Sequence, residues 1–128
     1  MKERFSTNLF FSNLLLLVTF CAYAQEIDFS DRTSKIDELI EQQAYTEAFS
    51  ELTRLQDNIA NTEFQKRDSV QLYMFSKWSF VYYQLDSCEQ AINNNRGEAD
   101  LRMSLFGPTE LTTLQTIRNL GVFLSQLW

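Results

Sequence analysis

From Ser34 onward the apolar side chains fall three and four positions apart, the spacing that gathers them on one side of a helix. Ile36, Leu39 and Ile40 open the pattern, and Ser34 with Asp37 resembles an N-terminal capping pair. After a break at Gln43 and Ala44 it resumes with Tyr45, Ala48, Phe49, Leu52, Leu55 and Ile59, while Glu47, Glu51, Arg54 and Asp57 take the opposite side. Two amphipathic helices with almost no loop between them predict an antiparallel hairpin. A polar stretch from Asn61 to Asp68 follows, with Phe64 as its one large apolar residue. A second hairpin starts at Asp68 with Gln71, and its first helix carries Val70, Tyr73, Met74, Trp78, Val81, Tyr82 and Leu85. Ser87 with Gln90 reads as a capping box for the next helix, which carries Cys88, Ala91, Ile92, Ala99, Met103 and Phe106 and stops at Gly107-Pro108. Thr112 with Gln115 caps a fifth helix whose apolar face is Leu114, Ile117, Leu120, Gly121, Phe123, Leu124 and Leu127. The fold class predicted is all-α.

The N-terminal segment has a different character. Lys2 and Arg4 precede an apolar run from Leu9 through Phe20 that closes on Ala22-Tyr23-Ala24, the layout of a secretory signal peptide. Cleavage would use the small residues Ala22 and Ala24 and leave Gln25 as the new N-terminus. A retained anchor is the alternative, but Leu9 to Ala24 spans 16 residues, short of the roughly 20 that a spanning helix needs. No stable membrane span is expected after cleavage. Lipidation at Cys21 fits less well, because Phe20 stands where a lipobox has a small residue. The expected organisation is a signal peptide over 1–24, a linker over 25–33 and a helical domain over 34–128. Removal of 1–24 leaves Cys88 as the single thiol, so no intramolecular disulfide framework is expected.

The hairpins repeat. Ala48 and Ala91 occupy the same place in successive hairpins, 43 residues apart, and Trp78 with Leu120, Tyr82 with Leu124 and Leu85 with Leu127 share a register of 42. A period of that length built from helical hairpins signals a stacked array. The residues themselves resemble the tetratricopeptide repeat family: Tyr45-Thr46-Glu47-Ala48 and Cys88-Glu89-Gln90-Ala91 match its tight-turn signature. Leu105-Phe106-Gly107-Pro108 followed by Asn119-Leu120-Gly121 is similar to the 42-residue variety of kinesin light chains and nephrocystin-type proteins. Asn95 and Glu98 depart from that pattern, and Asn93-Asn94-Asn95-Arg96-Gly97 is poor helix sequence. The resemblance implies a short solenoid of about two and a half repeats whose first helices line a peptide groove. It places Asn119 at the family's groove asparagine and Lys77 at the equivalent position one repeat earlier. Tyr73, Phe80, Gln84, Arg118, Val122 and Gln126 are the further groove candidates. Tyr73 and Phe80 alternatively pack between helices.

Composition narrows the chemistry. The chain has no histidine, which removes Ser/His and Cys/His dyads and His-ligated metals. Its 17 acidic against 11 basic side chains, a net charge of −6, disfavour a nucleic-acid partner. With three Gly and one Pro it lacks the turn residues of a hairpin-rich β protein. The dense carboxylates Asp37, Glu38, Glu41, Glu47 and Glu51 read as a solvated helix face. Asp86-Ser87-Cys88-Glu89 has too few ligands for a calcium loop. No catalytic group, metal or cofactor is expected. The functional expectation is therefore an exported, periplasmic or secreted module that binds a protein or peptide. Two alternatives stay open: the sensor or scaffold portion of a longer signalling kinase or caspase-like peptidase, and a structural module that self-associates through an uncapped last helix.

Overall fold

The computed structural model describes residues 2–127, with side chains from residue 11 to 127. The side chains of Lys2 and Arg4, and Trp128, lie outside the described residues. The elements are α1 (Lys2–Glu41), α2 (Tyr45–Ile59), a 3-10 turn (Glu63–Lys66), α3 (Asp68–Gln84), α4 (Cys88–Phe106) and α5 (Leu111–Ser125). No strand occurs among the described residues, so the fold is all-α, with helices packed on one another.

The contacts divide the chain into two units, Met1–Ser34 and Lys35–Trp128. In the first, α1 exposes Phe11, Leu14, Leu15, Leu16, Leu17, Val18, Phe20 and Tyr23. The 25–33 segment is helical rather than a linker. The reason is the absence of any Gly or Pro before Gly97, together with the Asp28–Arg32 ion pair one helical turn apart at 2.9 Å. Ser34 accordingly caps nothing. Its hydroxyl donates to the Ser30 carbonyl at 2.9 Å, as a mid-helix serine does.

In the second unit, the core holds Ile36, Ala48, Leu52, Leu55, Ile59, Phe64, Val70, Trp78, Val81, Ala91, Ile92, Ala99 and Phe123. α2 packs on α3, α3 on α4 and α4 on α5. α3 is apolar or aromatic on most sides, and every residue from Val70 to Ser79 is buried or half-buried, because neighbours cover it from several directions. Phe49 of α2 meets Trp78 edge-on at 5.2 Å and Tyr82 at 5.7 Å, while Trp78 and Tyr82 stack at 5.1 Å. One repeat later, Leu120 and Leu124 pack against Ala91, Ile92 and Phe123, and Phe123 stacks on Tyr83 at 4.7 Å.

Both hairpin turns have the same backbone. At the first, the Ala44 N–H donates to the Leu39 carbonyl (2.8 Å) and the Gln43 N–H to Ile40 (3.0 Å), with Gln43 at φ 59. At the second, the Ser87 N–H donates to Tyr82 (2.8 Å) and the Asp86 N–H to Tyr83 (3.2 Å), with Asp86 at φ 60. This is a Schellman closure, in which a left-handed residue lets the chain reverse while satisfying the last carbonyls. It recurs at the register of Ala48 and Ala91. Neither left-handed residue is glycine, so residue type alone did not mark the turns.

Three expected side-chain caps are not made. Asp68 is the first residue of α3 and Arg67 takes the cap position without a side-chain bond, and Ser87 before α4 makes no side-chain capping bond either. α5 begins at Leu111, one residue before Thr112, and is capped by Glu110, whose carboxylate accepts from the Thr113 N–H at 3.0 Å. A carboxylate reaches that N–H as well as a hydroxyl does and also answers the positive end of the helix dipole. α4 ends where Gly107-Pro108 predicted, with Gly107 at φ 87.

The asparagine-rich segment is helical throughout, and Gly97 has a packing reason there. A Cβ built on Gly97 would lie 2.6 Å from the Phe75 ring, whereas one on Gly121 would meet nothing within 4 Å. Opposite outcomes follow for the same substitution. Gly121→Ala should raise stability by about 0.5–1 kcal/mol through helix propensity. Gly97→Ala should lower it by about 1–2 kcal/mol, because displacing a rigid ring outweighs that gain. Thermal melts of the two variants check this, and a stabilised Gly97→Ala would refute the close approach as the reason for glycine.

Candidate functional site

Tyr73, Lys77, Phe80 and Gln84 fall at spacings of four, three and four, and so form one stripe along α3. Three of the four are engaged with other helices. The Tyr73 hydroxyl donates to Asp37 Oδ1 at 3.0 Å, and Lys77 Nζ lies 2.9 Å from the same oxygen. Lys77 also sits 5.4 Å from the Tyr73 ring centroid. Phe80 meets Tyr45 of α2 edge-on at 6.0 Å. Burial first, then the charge and hydrogen bond of Asp37, hold the Tyr73 phenol well above its ordinary value, so it stays a neutral donor. Tyr73 and Lys77 thus tie α3 to Asp37 at the C-terminal end of α1. The Lys77 charge is half-buried and already answered.

On α5 the corresponding candidates are open to solvent. Arg118, Asn119, Val122 and Gln126 are all exposed and share one sector of the helix. The α3 candidates are thus largely engaged by other side chains, and the α5 candidates are exposed.

The apolar face expected for α5 is split. Leu120, Phe123 and Leu124 pack inward, but Leu114, Ile117 and Leu127 are exposed, as are Leu111 and Val122. Ile117, expected on the apolar face, is 41% exposed. Thr113 and Thr116 are buried in its place. Thr116 meets a polar layer on α4: Glu98, 5% exposed, accepts from Arg102 Nε at 2.9 Å, and the Thr116 hydroxyl lies 3.4 Å from the same carboxylate oxygen. Arg102 Nη1 donates to the Thr112 hydroxyl at 3.0 Å, which in turn donates to Glu110. Asn95, 1% exposed, belongs to the same buried polar set on α4. Sequence reasoning missed this layer. The Glu98–Arg102 spacing of four was the available signal.

Glu110 is held below its ordinary value of 4.5 by its hydrogen bonds from Thr112 and Thr113. A carboxyl with a lowered folded-state value contributes stability that is fully present above the unfolded value and lost as pH falls through the folded one. Glu110→Gln should therefore melt lower than wild type at neutral pH, and the gap should close in acid below about pH 4. Melting curves across that range provide the check, and a gap that persists in acid would contradict it.

The carboxylate face is not uniformly solvated. Glu38, Glu41 and Glu47 are exposed, but Asp37 takes the two bonds above, and Glu51 bridges Lys35 of α1 (2.9 Å) and Arg54 (3.0 Å). Among the described residues no group of three or more acidic, Cys or His side chains is placed to hold a metal. Cys88 is a half-buried free thiol. No family model, curated protein or solved structure matches this chain.

Proposed function

We infer that this chain is a non-catalytic protein- or peptide-binding module of tetratricopeptide-like design, exported from the cytoplasm. The observation that carries the reading is one packing arrangement made twice. Phe49 of α2 packs on Trp78 and Tyr82 of α3; 43 residues on, Ile92 of α4 belongs to the cluster on which Leu120 and Leu124 of α5 pack, 42 residues beyond that Trp and Tyr. The matching turns at Gln43 and Asp86 support the same repetition. Repeats that stack in this way present the same face of each first helix on one side, where an extended partner can lie along them. The export reading is supported by the exposed apolar side chains of α1 ahead of Ala22-Tyr23-Ala24.

The groove is tested by a partner recovered in pull-downs with the wild-type chain. Asn119→Ala should weaken capture several-fold without changing the melting temperature, because Asn119 is exposed and its side chain supports no packing. Lys77→Ala should weaken capture and also lower stability, since it strips Asp37 of a counter-charge. Undiminished capture by Asn119→Ala would overturn the groove. A second reading, self-association through α5, is favoured by the exposed row Leu111, Leu114 and Ile117. Light scattering that finds only monomer at high concentration would remove it.

A further inference from the structure

The end of α2, the 3-10 turn, α3 from Val70 to Trp78 and Asn94 of α4 line an open cavity of about 390 Å³. That is within the range of small-ligand sites, roughly 300–1,000 Å³. Its apolar wall includes Val70, Met74, Phe75 and Trp78, and its polar side includes Gln71 and Lys66. Val70, Met74 and Trp78 recur at spacings of four on a different side of α3 from the Tyr73–Gln84 stripe, so the cavity is separate from the proposed groove.

Two properties of the lining select a ligand chemistry. No carboxylate lines the cavity, although the chain carries 17 acidic side chains. The polar lining groups are instead amides and one ammonium; the Trp78 indole N–H is buried and has no acceptor in the structure. Two aromatic rings and a methionine offer an adaptable surface for a flat apolar body. The ammonium of Lys66 offers a charge partner. Its present partner, Glu63 at 2.8 Å, forms a surface pair with both side chains more than two-thirds exposed, the kind that contributes little and exchanges readily.

We propose that this cavity binds a small amphipathic anion, an aromatic or branched apolar body carrying one carboxylate. The body lies against Met74, Phe75 and Trp78, and the carboxylate is answered by Lys66. The volume suits a bicyclic ring system. The site does not depend on the groove reading.

The test uses the full chain, 15N-labelled and carrying Trp128→Phe so that Trp78 gives the one indole N–H resonance. It is titrated with naphthalene-1-acetate and, separately, with the uncharged naphthalene-1-acetamide. The Trp78 indole resonance should shift saturably with the acid, which should bind at least about fivefold more tightly than the amide. Lys66→Gln, on an exposed turn, should bring the acid to the affinity of the amide and leave the amide unchanged. The proposal is overturned if the indole resonance does not respond at up to about 5 mM acid, an affinity too weak to be a site. It is equally overturned if acid and amide bind alike, or if Lys66→Gln leaves their difference intact.

Discussion

Trp78→Ala is expected to destabilise the helical array by about 3–5 kcal/mol, the range for deleting a large buried aromatic side chain. The ring is 8% exposed, stacks on Tyr82 and receives the edge of Phe49, so it joins α2 to α3 at the middle of the array. A domain of this size has a total stability of about 5–15 kcal/mol, so the loss should leave a marginal fold. Trp78→Phe should cost much less, about 1 kcal/mol, because the indole N–H that it removes has no acceptor and its burial is uncompensated. Urea denaturation followed by circular dichroism measures both. A Trp78→Ala loss below about 1 kcal/mol would mean that the aromatic cluster does not hold the hairpins together.

The second large effect concerns the polar layer between α4 and α5. Arg102→Leu should cost about 2–3 kcal/mol, because it leaves the Glu98 carboxylate buried with only the long Thr116 contact. The cost falls at or below the usual ~3–5 kcal/mol because the Arg102 side chain is itself 19% exposed. The double variant Glu98→Leu, Arg102→Leu should recover to within about 1 kcal/mol of wild type, since an apolar pair removes the desolvation penalty together with the attraction. If the double variant is as unstable as the single one, the layer stabilises through its wider hydrogen-bond chain to Thr112 and Glu110 rather than through the pair.

These two sites differ in how far the sequence announced them. Trp78 was marked twice, by its place in a helical apolar run and by its register with Leu120. Glu98 and Asn95 stood out only as departures from the repeat pattern, and the structure buries both. Periodicity assigns apolar residues to a face; it does not show that Thr113 and Thr116 are buried, Thr116 against the Glu98 carboxylate, while Leu114 and Ile117 are exposed. The cap of α5 was misassigned for a related reason, since Thr is a favoured cap residue and Glu is not, and only the backbone path places Glu110 before the helix. The groove candidates divided in the same way. Their spacing placed each set on one helix face, but the engagement of Lys77 and Tyr73 by Asp37 arises between residues 36 and 40 positions apart.

By itself the sequence determined the all-helical class, most apolar core positions from Ile36 to Ala99, the end of α4 at Gly107 and the 42- to 43-residue register. All of these follow from spacing along one chain and from the backbone limits of particular residues. Only the tertiary structure decided that Gly97 makes room for Phe75, which side of α5 is buried, and that an acid-free cavity lies beside Trp78. The physical reason is the same in each case. Local spacing says which side chains share a face, but whether that face meets a ring, a carboxylate or solvent is set by elements brought together from distant parts of the chain.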